Sequence, residues 1–249
     1  FENIIPEELL IEKLTKNFEY VFIQNFKTKH IKELIKKWFA NKQIDLQDKM
    51  QSLIKSFTDF GLPKNPLSIT LFLWIFEKQE KKPINKSVLV ELFVENILEK
   101  TKIENIYSDT FDFHNKKRLL ACFAKYMHDE GDAKSSYRVK YSSACSFFEK
   151  YISSRAEIQP VKVLEDFINR GILYLDDENN LTFKSAFYFH FFLALAFDYF
   201  KDFKDFVFTD ENYLNYIEEI SYYTGLKRDD ADILNYISRK LMHSYDAIN

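Results

Sequence analysis

Four glycines in 249 residues, Gly61, Gly131, Gly171 and Gly225, narrow what this chain can be more than any other feature. Ordinary usage is about 7%, and glycine is the residue that lets a backbone form left-handed turns, short hairpins and close cradles around a ligand. A Walker-type phosphate loop needs two nearby glycines followed by Lys and Ser or Thr. No two glycines of this chain lie that close, and a dinucleotide fingerprint fails in the same way. The length still allows one large domain, or two to three small ones, with a buried core.

Helical periodicity dominates. Ile31, Leu34, Ile35, Trp38 and Phe39 recur at helical spacing, as do Met50, Leu53, Ile54 and Phe57, and Leu119, Leu120, Phe123, Ala124 and Met127. Asn65-Pro66 predicts an N-cap followed by proline at the first helical position. The helix it opens, through Leu71, Phe72, Leu73, Trp74 and Ile75, is apolar almost all round and therefore central. A loop at 79–84 then leads into a helix carrying Val88, Leu89, Leu92, Phe93, Ile97 and Leu98. The cluster Asp129-Glu130-Gly131-Asp132 marks a boundary.

Beyond it, helices are predicted at 141–153 and 160–170, the second opened by Pro160 and closed by Gly171 as a C-cap. The period then shifts toward two. Ile172-Leu173-Tyr174-Leu175, a polar turn from Asp176 to Asn180, and Leu181-Thr182-Phe183 read as a β-hairpin. Helix, helix, hairpin and helix is the order of a winged helix-turn-helix. Helices at 211–223 and 230–241 follow. At the front, Tyr20-Val21-Phe22-Ile23 predicts a lone strand at 20–23, which needs a sheet to pair with. That sheet is expected to lie mostly outside this chain. The predicted fold is mainly α: a helical bundle, a winged helix-turn-helix with one small β-hairpin, then further helices.

The formal charge is −3 and the pI about 6.0, which supplies no overall field for nonspecific nucleic-acid binding. The 160–170 helix mixes Lys162, Asn169 and Arg170 with Glu165 and Asp166, a poor surface for reading base edges. Cys122 and Cys145 stand among apolar neighbours and suit reduced thiols in a cytoplasmic protein. The most apolar run, Ala186 to Phe197, falls short of the roughly 20 residues a membrane span requires. No membrane is expected, and the opening Phe1-Glu2-Asn3 has no basic signal-peptide start, reading instead as part of a longer protein. His30, His114, His128 and His243 show no zinc-ligand spacing, so no metal is expected. Asp109, Asp112, Asp129, Glu130 and Asp132, and the Asp229-Asp230-Ala231-Asp232 cluster, read as helix-end acids. The 26 Phe and 15 Tyr read as packing rather than stacking platforms, and His190 as a core histidine with one satisfied nitrogen.

Three stretches, taken in order and spacing, resemble a known architecture. They are Phe22-Ile23-Gln24-Asn25-Phe26 through Lys37-Trp38-Phe39, then Gly61-Leu62-Pro63-Lys64-Asn65-Pro66-Leu67-Ser68-Ile69, then Gly171-Ile172-Leu173 to Phe183 with Phe191-Phe192-Leu193-Ala194. Over most of residues 20–200 the chain resembles the region downstream of the P-loop core in STAND NTPases of the NACHT and NB-ARC type, particularly bacterial antiviral ones. The resemblance implies a nucleotide-gated switch, in which a helical domain and a winged helix fold over ATP or ADP and swing out so that protomers assemble. It divides the chain into the tail of a nucleotide-binding core (1–27), a helical domain (28–132), a winged-helix domain (133–205) and the start of a C-terminal helical sensor region (206–249).

By the resemblance, Pro66 matches the family's proline that packs on adenine; from the residues alone it is equally a plain helix start. The family's phosphate-contacting histidine, two residues after the motif phenylalanine, is replaced here by Ser185. Ser185 offers a hydrogen bond to a phosphate oxygen and Lys184 a charge, with a helix N-cap as the alternative role. Its role is not transferred to His190. ATP or ADP is implied only for a complete NTPase, whose P-loop core lies upstream; this chain alone is expected to catalyse nothing, its parent to be an ATPase. The implied partners are that core, neighbouring protomers and a trigger such as a phage protein. Two other classes stay open: a free-standing α-helical protein-interaction module and a winged-helix DNA-associated regulator.

Overall fold

The computed structural model describes residues 26–40, 51, 54–55, 66–78, 85–99, 111–130, 137–153 and 158–246. The expected strand at Tyr20 to Ile23, the Asn65 cap, the 79–84 loop, most of the helix around Met50 to Phe57 and the boundary at Gly131 lie outside the described residues. The chain divides into two compact units, Phe1–Leu73 and Trp74–Asn249.

In the first unit, helix α1 (Thr28–Trp38) buries Ile31 and Ile35 on one side, and Phe39, just past its end, is buried as well. The apolar spacing that predicts this helix is therefore the spacing it uses. The division falls within helix α2 (Pro66–Lys78), of which Ile69, Phe72, Leu73 and Ile75 are buried.

The second unit is built from helices α3 (Lys86–Glu99), α4 (Phe113–Glu130), α5 (Tyr141–Ser153), α6 (Pro160–Asn169), α7 (Ala186–Leu195), α8 (Lys201–Val207), α9 (Ile217–Leu226) and α10 (Ala231–Asp246). Short 3-10 turns stand at Ala196–Asp198 and Tyr213–Tyr216. Three strands complete it: β1 (Val139–Lys140), β2 (Leu173–Leu175) and β3 (Asn180–Phe183).

The strands form one antiparallel sheet in the order β1-β3-β2. The hairpin of β2 and β3 pairs Leu173 with Phe183, Tyr174 with Thr182 and Leu175 with Leu181. The expectation of one small hairpin is thereby corrected to three strands, because Val139 and Lys140 pair with Leu181 and Asn180. Two residues carry no readable alternation, and their pairing is made across the whole α5–α6 insertion. The hairpin turn is held by Asp176, whose carboxylate accepts the backbone N–H groups of Glu178 at 3.0 Å and Asn180 at 2.8 Å. Those hydrogen bonds, with Arg138 3.6 Å away, hold its carboxyl below the usual carboxylate range. Asn179 takes the left-handed conformation that asparagine tolerates.

One contiguous apolar core runs through this unit from Val90 to Ile233. α7 is its centre: seven of its ten residues are buried, and it packs on both α4 and α9. Aromatic rings carry much of the core. Phe123 of α4 meets Phe147 and Phe148 of α5 and Phe183 of β3, and Phe183 meets Phe189 and Phe192 of α7. A ring of this kind removes 150–250 Å² from water, worth about 4–6 kcal/mol before entropy is set against it.

The buried residues also correct parts of the sequence reading. In α3 the buried positions are Ser87, Leu89, Val90, Val94 and Leu98, so Leu92, Phe93 and Ile97 lie at the edge of its stripe. The helix expected at 211–223 is a 3-10 turn followed by α9, and α8 has no counterpart in the expected helices.

Candidate functional site

The two polar residues singled out near the hairpin occupy the joint between β3 and α7. α6 stops at Gly171, whose φ of +72° is the left-handed value a C-cap needs. Its N–H donates to Ile168 O at 2.9 Å and the N–H of Ile172 to Phe167 O at 3.0 Å, the paired bonds of a Schellman ending. Across the hairpin, the N–H of Lys184 donates to Ile172 O at 2.9 Å. The Lys184 side chain lies over Gly171: a Cβ there would stand 3.3 Å from Nζ. Glycine therefore lets the Lys184 stem lie against the backbone while the residue as a whole stays exposed.

Ser185 follows at the N-cap position of α7 with extended backbone angles. Its carbonyl accepts from Tyr188 N at 3.0 Å, but its hydroxyl makes no capping hydrogen bond. The first backbone N–H groups of a helix have no partner within it and carry partial positive charge. A lysine lying over Gly171, a serine whose hydroxyl makes no capping bond and a helix N-terminus thus follow one another along this joint, residue types that suit an anion.

Pro66 is the first residue of α2, where its missing N–H costs nothing. It is half-buried, and its carbonyl accepts from Thr70 Oγ1 at 2.9 Å. It belongs to the first unit, whereas Lys184 and Ser185 belong to the second.

His190 has one satisfied nitrogen: its Nδ1 stands 2.7 Å from Glu219 Oε1 of α9. The side chain is 32% exposed, so it sits at the margin of the core, whereas Glu219 is 5% exposed. Glu219 escaped the sequence reading because its partner is 29 positions away.

Arg170 is a second residue that sequence reading undervalued. Its side chain is 4% exposed; Nε donates to Asp166 Oδ2 at 2.6 Å, and Nη1 to Ile97 O at 2.7 Å and Leu98 O at 3.2 Å. It covers the last carbonyls of α3 and fixes the end of α6 on which Gly171 and Lys184 depend. Burial, with the Arg170 charge nearby, pushes the Lys116 ammonium of α4 below the usual lysine range. An Asp-Arg pair at i, i+4 reads in sequence as a solvated helix face, and nothing local marks it as buried.

His128 of α4 is also more than a scattered histidine. Nε2 stands 2.9 Å from Tyr216 Oη, and the ring packs against Tyr137, Phe203 and Tyr216. Tyr137 holds a φ of +52° while stacking on Phe189 at 4.4 Å. A bulky residue in that region is strained, and the two stacked rings hold it there.

Of the helix-end acids, Asp112 and Asp230 start helices as expected, whereas Asp129 and Glu130 stand in the last turn of α4, where an acid opposes the dipole, and Asp129 pairs with Lys125. Asp112 Oδ1 accepts the N–H of Asn115 at 2.9 Å at the start of α4, and Asp230 Oδ1 that of Ile233 at 3.2 Å at the start of α10. Among the described residues, no group of three or more His, Cys, Asp or Glu could hold a metal ion, and no helix is long and apolar enough to cross a membrane.

Residues 137–193 match the family model described as Novel STAND NTPase 4. No curated protein and no solved structure matches the chain. The matched stretch runs from Tyr137 through β1, α5, α6, β2 and β3 to Leu193 in α7, and it includes Lys184 and Ser185. Over this segment the chain is thus similar to a STAND NTPase, and the match supports its being part of one.

Proposed function

We propose that the chain is the regulatory switch portion of a STAND NTPase of the NACHT or NB-ARC type, closing over ATP or ADP and coupling nucleotide state to oligomerisation, in antiphage defence. The order α4, β1, α5, α6, β2, β3 with sheet order β1-β3-β2 supports a winged helix, with the Asp176 turn as its wing. In this reading residues 1–27 close a nucleotide-binding core, 28–132 form the helical domain, 133–205 the winged helix and 206–249 the start of the sensor. The parent is a cytoplasmic ATPase whose partners are the upstream P-loop core, neighbouring protomers and a phage-derived trigger.

The observation that carries the reading is the unused Ser185 hydroxyl beside Lys184 at the N-terminus of α7, inside the matched segment. The group implied is a nucleoside di- or triphosphate, and this donor set fits its phosphates. When bound, the nucleotide supplies the negative charge that the joint attracts and that hydrolysis alters. Lys184 and Ser185 would hold a phosphate oxygen, and Pro66 would offer its ring to the base. Catalytic groups are assigned to the upstream core.

The test is ADP retention by the complete protein. Pro66→Ala and Lys184→Ala should each speed ADP loss roughly tenfold, equivalent to about 1.4 kcal/mol of binding. Unchanged retention in both variants would remove the nucleotide contacts and favour a helical protein-interaction module.

A further inference from the structure

Lys27, Lys29 and Lys32 answer to no electrostatic need of α1, the helix they open. Lys27 stands at the N-cap position without a side-chain capping bond, and the first turn holds no acid. Lys29 and Lys32 add positive charge to the half of the helix whose free N–H groups are already positive. Lys32 and Lys36 stand four apart, a spacing at which like charges repel. Lys36 and Lys37, in the last turn, are the ones favourably placed against the helix dipole.

Lys27, Lys29, Lys32, Lys36 and Lys37 are all exposed, Glu33 is the sole acid of the helix, and none of the five lysines forms an ion pair among the described residues. At 3.6 residues per turn, Lys29, Lys32 and Lys36 fall within a stripe roughly 60° wide and about 10 Å long. The side with Ile31 and Ile35 is buried.

Three kinds of polyanionic surface could meet such a stripe, and the surroundings of the stripe separate them. An interfacial helix needs an apolar face to enter lipid, and here that face is already buried. Protein interfaces are built round apolar or aromatic anchors, and this stripe has none. A row of flexible point charges without anchors fits the repeating phosphates of a nucleic acid, where affinity comes from counterion release alone. We propose that the exposed Lys29–Lys32–Lys36 stripe of α1 is a sequence-independent docking face for a nucleic-acid phosphate backbone. The formal charge of −3 conceals it, because the average over the chain says nothing of how the charges are distributed. The proposal stands apart from the nucleotide switch and needs neither Pro66 nor Ser185.

The experiment is fluorescence anisotropy of a labelled duplex oligonucleotide titrated with the 249-residue chain at several salt concentrations. Expected is weak binding, about 10⁻⁴ M near 0.05 M salt, with a log–log salt slope of about −3 for three phosphate contacts. Lys29→Gln/Lys32→Gln/Lys36→Gln should weaken binding at least roughly tenfold and flatten the slope, with helicity by circular dichroism unchanged because the substitutions remove repulsion. If the triple variant loses helicity, Lys29→Gln alone is read, and the slope should fall by about 1. Lys162→Gln on α6 should leave binding as it is. No salt-dependent binding by the unaltered chain, retention by the triple variant, or loss in Lys162→Gln would each overturn the assignment; the last would move the contact to α6. Capture by phosphatidylserine vesicles with no binding to the oligonucleotide would overturn it in favour of a membrane surface.

Discussion

α9 meets α7 and α3 with opposite chemistries. Toward α7 it presents aromatic surface: Tyr222 meets Phe191 edge-on at 5.8 Å, and the one polar link is Glu219 to His190. Toward α3 it presents backbone. Asn85 Nδ2 donates to Gly225 O at 2.8 Å, Ser87 Oγ to Ser221 O at 3.2 Å, and Lys86 pairs with Glu218 at 2.8 Å. Contact of this second kind demands that the helices approach closely, and Gly225 supplies the room. The α7 side should respond to lost volume and the α3 side to added volume.

The strongest effect belongs to the aromatic side. Phe191 is fully buried between α7 and α9, so Phe191→Ala should cost about 3–5 kcal/mol through lost transfer energy and the cavity left behind. A fall in the urea midpoint with an unchanged slope would show it; a cost under about 1 kcal/mol would mean that the site collapses freely.

On the polar side the expected response has the opposite geometry. A Cβ at Gly225 would stand 2.2 Å from Ser87 Oγ and 2.8 Å from Ser87 Cβ. Gly225→Ala gains about 1 kcal/mol in helix propensity, yet overpacking costs typically 1–3 kcal/mol, and a contact this short favours the penalty. The net loss should be up to about 2 kcal/mol, and Ser87→Gly added to Gly225→Ala should restore part of it. If the double variant is less stable than the sum of the single changes, the close approach does not limit the interface.

These two sides also show what could be read from the sequence and what could not. The stripes of α1 and α4, the Pro160 start, the Gly171 stop and the hairpin were legible because each is a local rule: a period, a fixed φ or a cap. β1 was not, since Val139 and Lys140 acquire a role only opposite Leu181 and Asn180. Arg170 was seen only as one charge on a mixed helix, because its burial depends on the end of α3, some 70 positions earlier. At the candidate site, Lys184 and Ser185 could be placed after the hairpin by counting. That the Ser185 hydroxyl is left without a capping bond although its backbone has cap angles depends on how the side chain is turned, which no residue pattern encodes.

A smaller effect, of opposite sign, lies where the two sides of α9 meet. Tyr222 is buried, its ring lies under Lys86 Nζ at 4.7 Å, and its hydroxyl has no hydrogen-bond partner. Burial pushes that phenol well above the usual tyrosine range. A buried hydroxyl without a partner is a penalty already present in the fold, so Tyr222→Phe should be neutral or stabilising by up to about 1 kcal/mol. A clear loss of stability in thermal unfolding would reveal a partner, such as a water, that the hydroxyl does satisfy.

The smallest expected change in stability is the most informative about function. Serine at an N-cap usually contributes about 1 kcal/mol because its oxygen accepts a backbone N–H of the first turn. At Ser185 that bond is absent although the backbone angles are those of a cap. Ser185→Ala should therefore change the unfolding free energy from denaturant titration by less than about 0.5 kcal/mol, while ADP loss from the complete protein quickens. A residue that serves only the fold would give the reverse, a full capping cost with nucleotide retention untouched. The two readings predict opposite rankings of the same two measurements, so one variant decides whether this joint holds α7 in place or receives a phosphate.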